Sequence, residues 1–108
     1  MVSSAYNRLV RKLTVENLWI YILTLLKESP LYGYELRSKI FERFGFKPGM
    51  ITCYVVLYKL EKEKLISSEE RSDVKSGGAP RKYYKITQKG LMEVKRAKDF
   101  LSKLVDRL

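Results

Sequence analysis

Tyr32 to Leu65 reads YGYELRSKIFERFGFKPGMITCYVVLYKLEKEKL, and this stretch decides the fold. From Tyr32 to Phe44, the residues Leu36, Ile40 and Phe44 fall four apart and share one helix face, while Arg37, Lys39 and Arg43 are mostly directed elsewhere. Gly45 stands where a left-handed residue closes a helix without side-chain strain. Pro48 suits the first turn of a following helix, where its missing N–H is not needed. In that helix Cys53, Val56, Leu57 and Leu60 follow the i, i+3, i+4, i+7 pattern of a core face, with Thr52, Val55, Lys59 and Lys62 on the other side. Two helices joined by so short a link, the second exposing a polar and basic face, form a helix-turn-helix.

Working outward, the spacing predicts an earlier helix that follows Thr14, read as its N-cap, and ends before Ser29-Pro30. Leu18, Trp19, Ile20, Ile22, Leu23, Leu25 and Leu26 make it apolar almost all round. Such a helix needs cover on more than one side, and a second subunit is a natural cover. Downstream, strands are predicted over Leu65 to Arg71 and Arg81 to Thr87, where Tyr84 and Ile86 alternate with Tyr83 and Lys85. Between them Ser76-Gly77-Gly78-Ala79-Pro80 reads as a hairpin tip. Six basic residues against Asp73 alone between Arg71 and Lys89 make this hairpin a wing suited to phosphates. Thr87 caps a last helix in which Val94, Ala97, Leu101, Leu104 and Leu108 form a seam that also needs cover.

The expected fold class is therefore α+β: a winged helix-turn-helix of three helices, a two-stranded β wing and a long C-terminal dimerisation helix. Residues 1–87 would form the DNA-binding domain with its N-terminal helix, and residues 88–108 the dimerisation helix.

Composition narrows the function. A chain of 108 residues fits one core, and 45 % apolar content is enough to fold it. Lys and Arg outnumber Asp and Glu by 22 to 12, a charge of +10 that favours an anionic partner. Nucleic acid is the usual one; an anionic membrane surface and simple solubility charge are the rivals. The longest apolar run, Leu18 to Leu26, is nine residues and contains Thr24, whereas a spanning helix needs about 20. With no secretory pattern at the start and Cys53 alone, the cytoplasm is the expected compartment. The lack of any His beside one Cys argues against zinc and His-based catalysis, and Gly77-Gly78 lacks the spacing of a phosphate loop. Neither an enzyme nor a cofactor is expected.

Residue detail adds a resemblance. Leu31-Tyr32-Gly33-Tyr34-Glu35-Leu36 resembles the Tyr-Gly-Tyr-Glu motif that opens the second helix of the PadR family. Tyr54, Leu57, Leu60, Glu61, Leu65 and Ile66 match that family's run from the recognition helix into the wing. The stretch Gly78 to Thr87, followed by Gly90, is similar to its wing and the start of its last helix. Val55, Ile51, Cys53, Lys64 and Ala79 depart from the family's usual proline, glycine, leucine, glycine and arginine. The resemblance implies a homodimer that represses transcription from a pseudo-palindromic operator. It also implies a small aromatic effector held between subunits, for which Trp19 is the candidate residue.

The DNA-binding candidates are Lys47, Thr52, Tyr54, Val55 and Lys59 on or beside the recognition helix, whose N-terminal residues reach base edges in this motif. Lys75, Ser76, Arg81 and Lys82 on the wing are the phosphate contacts. Tyr58 is assigned to buried packing, and Tyr32, Tyr34, Tyr83 and Tyr84 to core or interface packing. Leu18, Trp19, Ile22, Val94, Leu101, Leu104 and Leu108 are the dimer-interface candidates. The recognition helix has no Arg, Asn or Gln for a bidentate base contact, which keeps a sequence-tolerant architectural DNA or RNA binder as an alternative. A winged helix used as a protein-interaction module is the other.

Overall fold

In the computed structural model, which describes residues 3–71 and 81–108, the elements run α1 (Ser4–Leu13), a 3₁₀ turn (Val15–Asn17), α2 (Leu18–Glu28), β1 (Leu31–Tyr32), α3 (Gly33–Phe44), α4 (Met50–Lys62), β2 (Ile66–Arg71), β3 (Arg81–Ile86) and α5 (Gln88–Arg107). The fold is the expected α+β winged helix-turn-helix, with two additions. One is α1, capped by the Ser3 hydroxyl, which accepts from Tyr6 N–H at 3.1 Å. The other is β1, which pairs antiparallel with β3 through Leu31 to Tyr84 and Tyr32 to Tyr83, giving the sheet order β1-β3-β2. In the second pairing Ile66 lies opposite Ile86 and Arg71 opposite Arg81.

The central helix is α2, packed against α3, α4, α5 and β3. Its inward residues Leu18, Ile22, Leu23, Leu25 and Leu26 join Leu36 and Ile40 of α3, Cys53, Leu57 and Leu60 of α4, and Ile66, Tyr84 and Val94. This corrects three interface candidates. Leu18, Ile22 and Val94 are 2, 0 and 2 % exposed within one protomer, so they build its own core and offer a partner no surface. The near-circumferential apolarity of α2 is largely satisfied by the chain's own elements, because a helix enclosed by three others and a sheet buries most of its faces. Trp19 and Ile20 keep partial exposure.

Thr14 is a second correction. Its side chain makes no cap for α2, and its hydroxyl instead donates to the Val10 carbonyl at 2.7 Å, closing α1. Three elements then meet at the wing base. The Thr87 side chain accepts from Gly90 N–H at 3.1 Å and donates to the Lys64 carbonyl at 2.7 Å. A Cβ on Gly90 would lie 2.2 Å from the Leu65 carbonyl oxygen, so only glycine lets α5 approach β2 this closely.

The molecule is not spherical. Its radius of gyration is 15.5 Å and its extents 51 × 33 × 21 Å, against about 13 Å for a compact chain of this length. Both terminal helices project. Among the described residues α1 buries none, and its apolar Tyr6, Leu9, Val10 and Leu13 share one uncovered face. On α5, burial fades from Val94 through half-buried Leu101 to exposed Leu104 and Leu108. No helix of the described residues is long and apolar enough to cross a membrane.

Candidate nucleic-acid interface

The placement of α4 starts with the turn before it. Gly45, at φ 82°, closes α3 in the left-handed region as expected. Phe44 and Phe46, on either side of it, meet the Tyr21 ring edge-on at 4.8 and 4.9 Å and so anchor the turn to α2. Arg37 of α3 donates from Nε to the Pro48 carbonyl at 2.8 Å. Pro48 is buried just ahead of α4, whose N-cap is Gly49. With Cys53, Leu57 and Leu60 pointing inward, a turn of about 100° per residue puts Ile51, Val55, Tyr58 and Lys62 along the outer ridge. Thr52 and Lys59 fall on one flank, Tyr54 and Glu61 on the other.

This ridge revises the residue assignments. Tyr58, assigned to buried packing on sequence grounds, is 64 % exposed, with the Lys62 ammonium 5.7 Å from its ring centroid. The outward direction of position 58 wins over the usual preference of a tyrosine for burial. Ile51, absent from the candidates, is 81 % exposed in the first turn of α4. Its signal is present in the sequence, since it lies one turn before Val55 on the face opposite Cys53. Thr52, Tyr54, Val55 and Lys59 are exposed as well, and Lys47 is exposed in the turn with its ammonium 5.8 Å from the Phe41 ring. Lys59 is directed toward a hollow of about 400 Å³ that it lines with Trp19, Val56 and Glu63, away from Tyr54.

On the other flank, α4, the start of α3 and β3 enclose a cleft of about 640 Å³ lined by Tyr34, Tyr54, Tyr58, Glu61, Arg81 and Lys82 over Tyr84. Gly33 allows its closeness: a Cβ there would be 2.8 Å from the Tyr54 ring. Tyr34, assigned to packing, is half in solvent, whereas Tyr84 is buried and its hydroxyl pKa is pushed up, first by burial and then by Glu61 and Tyr54. Glu61 accepts a hydrogen bond from the Ser68 hydroxyl and lies 3.7 Å from the Lys82 ammonium, tying α4 to both strands of the wing. The Arg81 guanidinium lies over the Tyr34 ring, its Cζ 4.7 Å from the centroid. Lys75 and Ser76 lie outside the described residues. Burial also pushes the Cys53 thiol pKa up, against a smaller downward pull from Arg37.

At the far end of the molecule, Trp19, Ile20, Ala97, Phe100 and Leu101 with Leu13 line a mostly apolar hollow of about 430 Å³ between α2 and α5. The Trp19 indole N–H donates to Asn17 Oδ1 at 3.4 Å.

Known proteins with this architecture place it. The chain is 40 % identical over 86 residues to an uncharacterised protein from Lysinibacillus sphaericus, covering 78 % of this chain and 71 % of that one. It is similar to a PadR family transcriptional regulator from Eggerthella lenta, with a TM-score of 0.76, 30 % identity, and coverage of 96 % of this chain and 92 % of that one. It is also similar to Bacillus subtilis PadR, whose structure holds operator DNA, with a TM-score of 0.66 and 28 % identity. That alignment covers 78 % of this chain and 46 % of the Bacillus protein. Residues 22–96, from α2 through most of the winged helix into α5, match the model of the transcriptional regulator PadR-like family. The chain belongs to the PadR-like family of transcriptional regulators.

Proposed function

We propose that the chain is a duplex-DNA-binding repressor that works in the cytoplasm as a homodimer on a pseudo-palindromic operator. The observation that carries this reading is the outer ridge of α4, where Ile51, Val55 and Tyr58 stand clear of the core, with Thr52 exposed on the flank and Arg81 and Lys82 across the neighbouring cleft. A helix presented in this way enters the major groove, and its first turns meet base edges. Val55 and Ile51 offer apolar contact to thymine methyl groups, and Thr52 offers a hydroxyl as well. Arg81 and Lys82, together with the sequence candidates Lys75 and Ser76, would serve the phosphates, which supply affinity without reading sequence. Likeness to the Bacillus PadR, whose structure holds operator DNA, supports the same partner.

The uncovered faces of α1 and α5 support dimerisation. Residues 88–108 act as the dimerisation helix, through Leu101, Leu104 and Leu108, with Trp19 at the edge. Two copies would set their α4 helices about 34 Å apart on one side of the duplex. A flat aromatic effector would enter the hollow beside Trp19.

Selection of bound fragments from genomic DNA, followed by titration of one selected fragment and a random duplex at fixed salt, tests the proposal. A preference of about 10³-fold or more is expected for a specific regulator. Equal binding to both duplexes would overturn sequence-specific repression in favour of an architectural binder, and absence of binding at low salt would favour a protein-interaction module.

A further inference from the structure

Arg81, the first residue of β3, does not stand alone. Its guanidinium lies over the Tyr34 ring at 4.7 Å, Tyr34 stacks on Tyr32 at 5.8 Å, and Tyr32 meets Tyr83 edge-on at 4.8 Å. Arg71 closes the row, 3.9 Å from the Tyr83 centroid. The five side chains come from β1, the first turn of α3, β2 and β3, so the row binds the wing to the start of the helix-turn-helix. Tyr34 is 52 % exposed, so its ring does little for the core, and its placement calls for another reason.

A planar guanidinium stacked on a ring keeps its N–H edge available to an anion. An exposed arginine otherwise has many rotamers to lose when it grips a phosphate. Its neighbour Lys82 is differently placed, with Glu61 3.7 Å away to compete for its charge. We propose that Tyr34 is a positioning residue for DNA binding: its ring face holds Arg81 at the mouth of the cleft between α4 and β3, so that the cation meets a backbone phosphate already ordered. This rests on the DNA-binding reading above.

The test uses the full chain and a fluorescent random-sequence duplex, titrated by anisotropy between about 50 and 200 mM salt. Tyr34→Phe keeps the ring and should bind like the wild type. Tyr34→Ala should weaken binding by about 2- to 10-fold per subunit, the cost of ordering one long side chain. In an Arg81→Ala background, Tyr34→Ala should cost nothing further, whereas a merely structural role would cost the same in both backgrounds. By NMR, the Arg81 side-chain protons should be shifted upfield by the ring in the wild type and Tyr34→Phe, and relax to ordinary values in Tyr34→Ala. Additive effects, or a Tyr34→Phe variant as weak as Tyr34→Ala, would overturn the proposal while leaving DNA binding intact. A wild type that shows no salt-dependent binding to duplexes would overturn the DNA-binding reading and the proposal with it. An Arg81 spectrum unchanged by Tyr34→Ala removes the stack itself.

Discussion

The two ends of this molecule expose hydrophobic side chains in different polar settings. Along α4, Ile51, Val55 and Tyr58 form one ridge flanked by Thr52, Lys59 and Lys62, beside a cleft that carries Arg81 and Lys82. Along α1 and α5, Tyr6, Leu9, Val10 and Leu13 run as one face and Phe100, Leu101 and Leu104 as another, with Leu13 and Leu101 lining the same hollow. Apolar groups flanked by hydroxyl and positive charge suit a wet, anionic partner with a few methyl groups to meet. An apolar stripe with few charges among it suits a partner as dry as itself, and under the proposed function a second copy of the chain would supply one.

The sharpest way to break this comparison is to charge the apolar end. Leu101→Asp with Leu104→Asp should give a monomer in sedimentation at tens of micromolar, an order-of-magnitude working range for weak association. Operator affinity should then fall by about 10²–10⁴-fold, because two linked half-sites become independent. Ile22→Ala is the contrast: fully buried inside the protomer, it should lower unfolding stability by about 2–5 kcal/mol through poorer packing without shifting the monomer–dimer balance. Equal effects of the two changes on dimerisation would show that core and interface are not separate.

At the other end, Thr52→Ala, Val55→Ala and Ile51→Ala should each reduce preference for the selected site by about 1–3 kcal/mol for each base no longer read, while leaving the salt dependence nearly unchanged. Anisotropy titrations against cognate and random duplexes read both quantities. Indifference of all three to site preference would remove α4 as the reader.

The smallest effect concerns the joint between α4 and the wing. Lys64 adopts φ 66°, with Leu65 N–H donating to the Leu60 carbonyl at 2.9 Å and Lys64 N–H to the Glu61 carbonyl at 3.0 Å. This is a Schellman ending with lysine in the left-handed position that glycine prefers. Lys64→Gly should therefore stabilise the fold by about 0.5–1 kcal/mol, the relieved strain being partly offset by a looser unfolded chain. Thermal unfolding measures it, and a lowered midpoint would show that the lysine stem is worth more than the strain.

Much of this is legible in the chain because it is local. The cap at Gly45, the core stripe of α4, the Thr87 cap and the alternation in β3 are each written within one or two turns or one strand. α1 is harder to read, because ten residues carrying Arg8, Arg11 and Lys12 look polar although Tyr6, Leu9, Val10 and Leu13 keep helical spacing. β1 is two residues long, too short for any period, and is a strand only because β3 arrives beside it.

By itself, then, the sequence determined the order of the main elements from α2 to α5, the helix-turn-helix, the basic composition of the wing and the resemblance to the family, since periodicity, caps and motif residues depend on neighbours along the chain. Only the tertiary structure decided which apolar residues remain available. Leu18, Ile22 and Val94 went to the protomer's core while Leu104 and Ile51 stayed in solvent, because burial depends on which elements meet across long sequence separations. The same holds for Arg81 on Tyr34 and Lys82 beside Glu61, pairs 47 and 21 residues apart in the chain that no local pattern encodes.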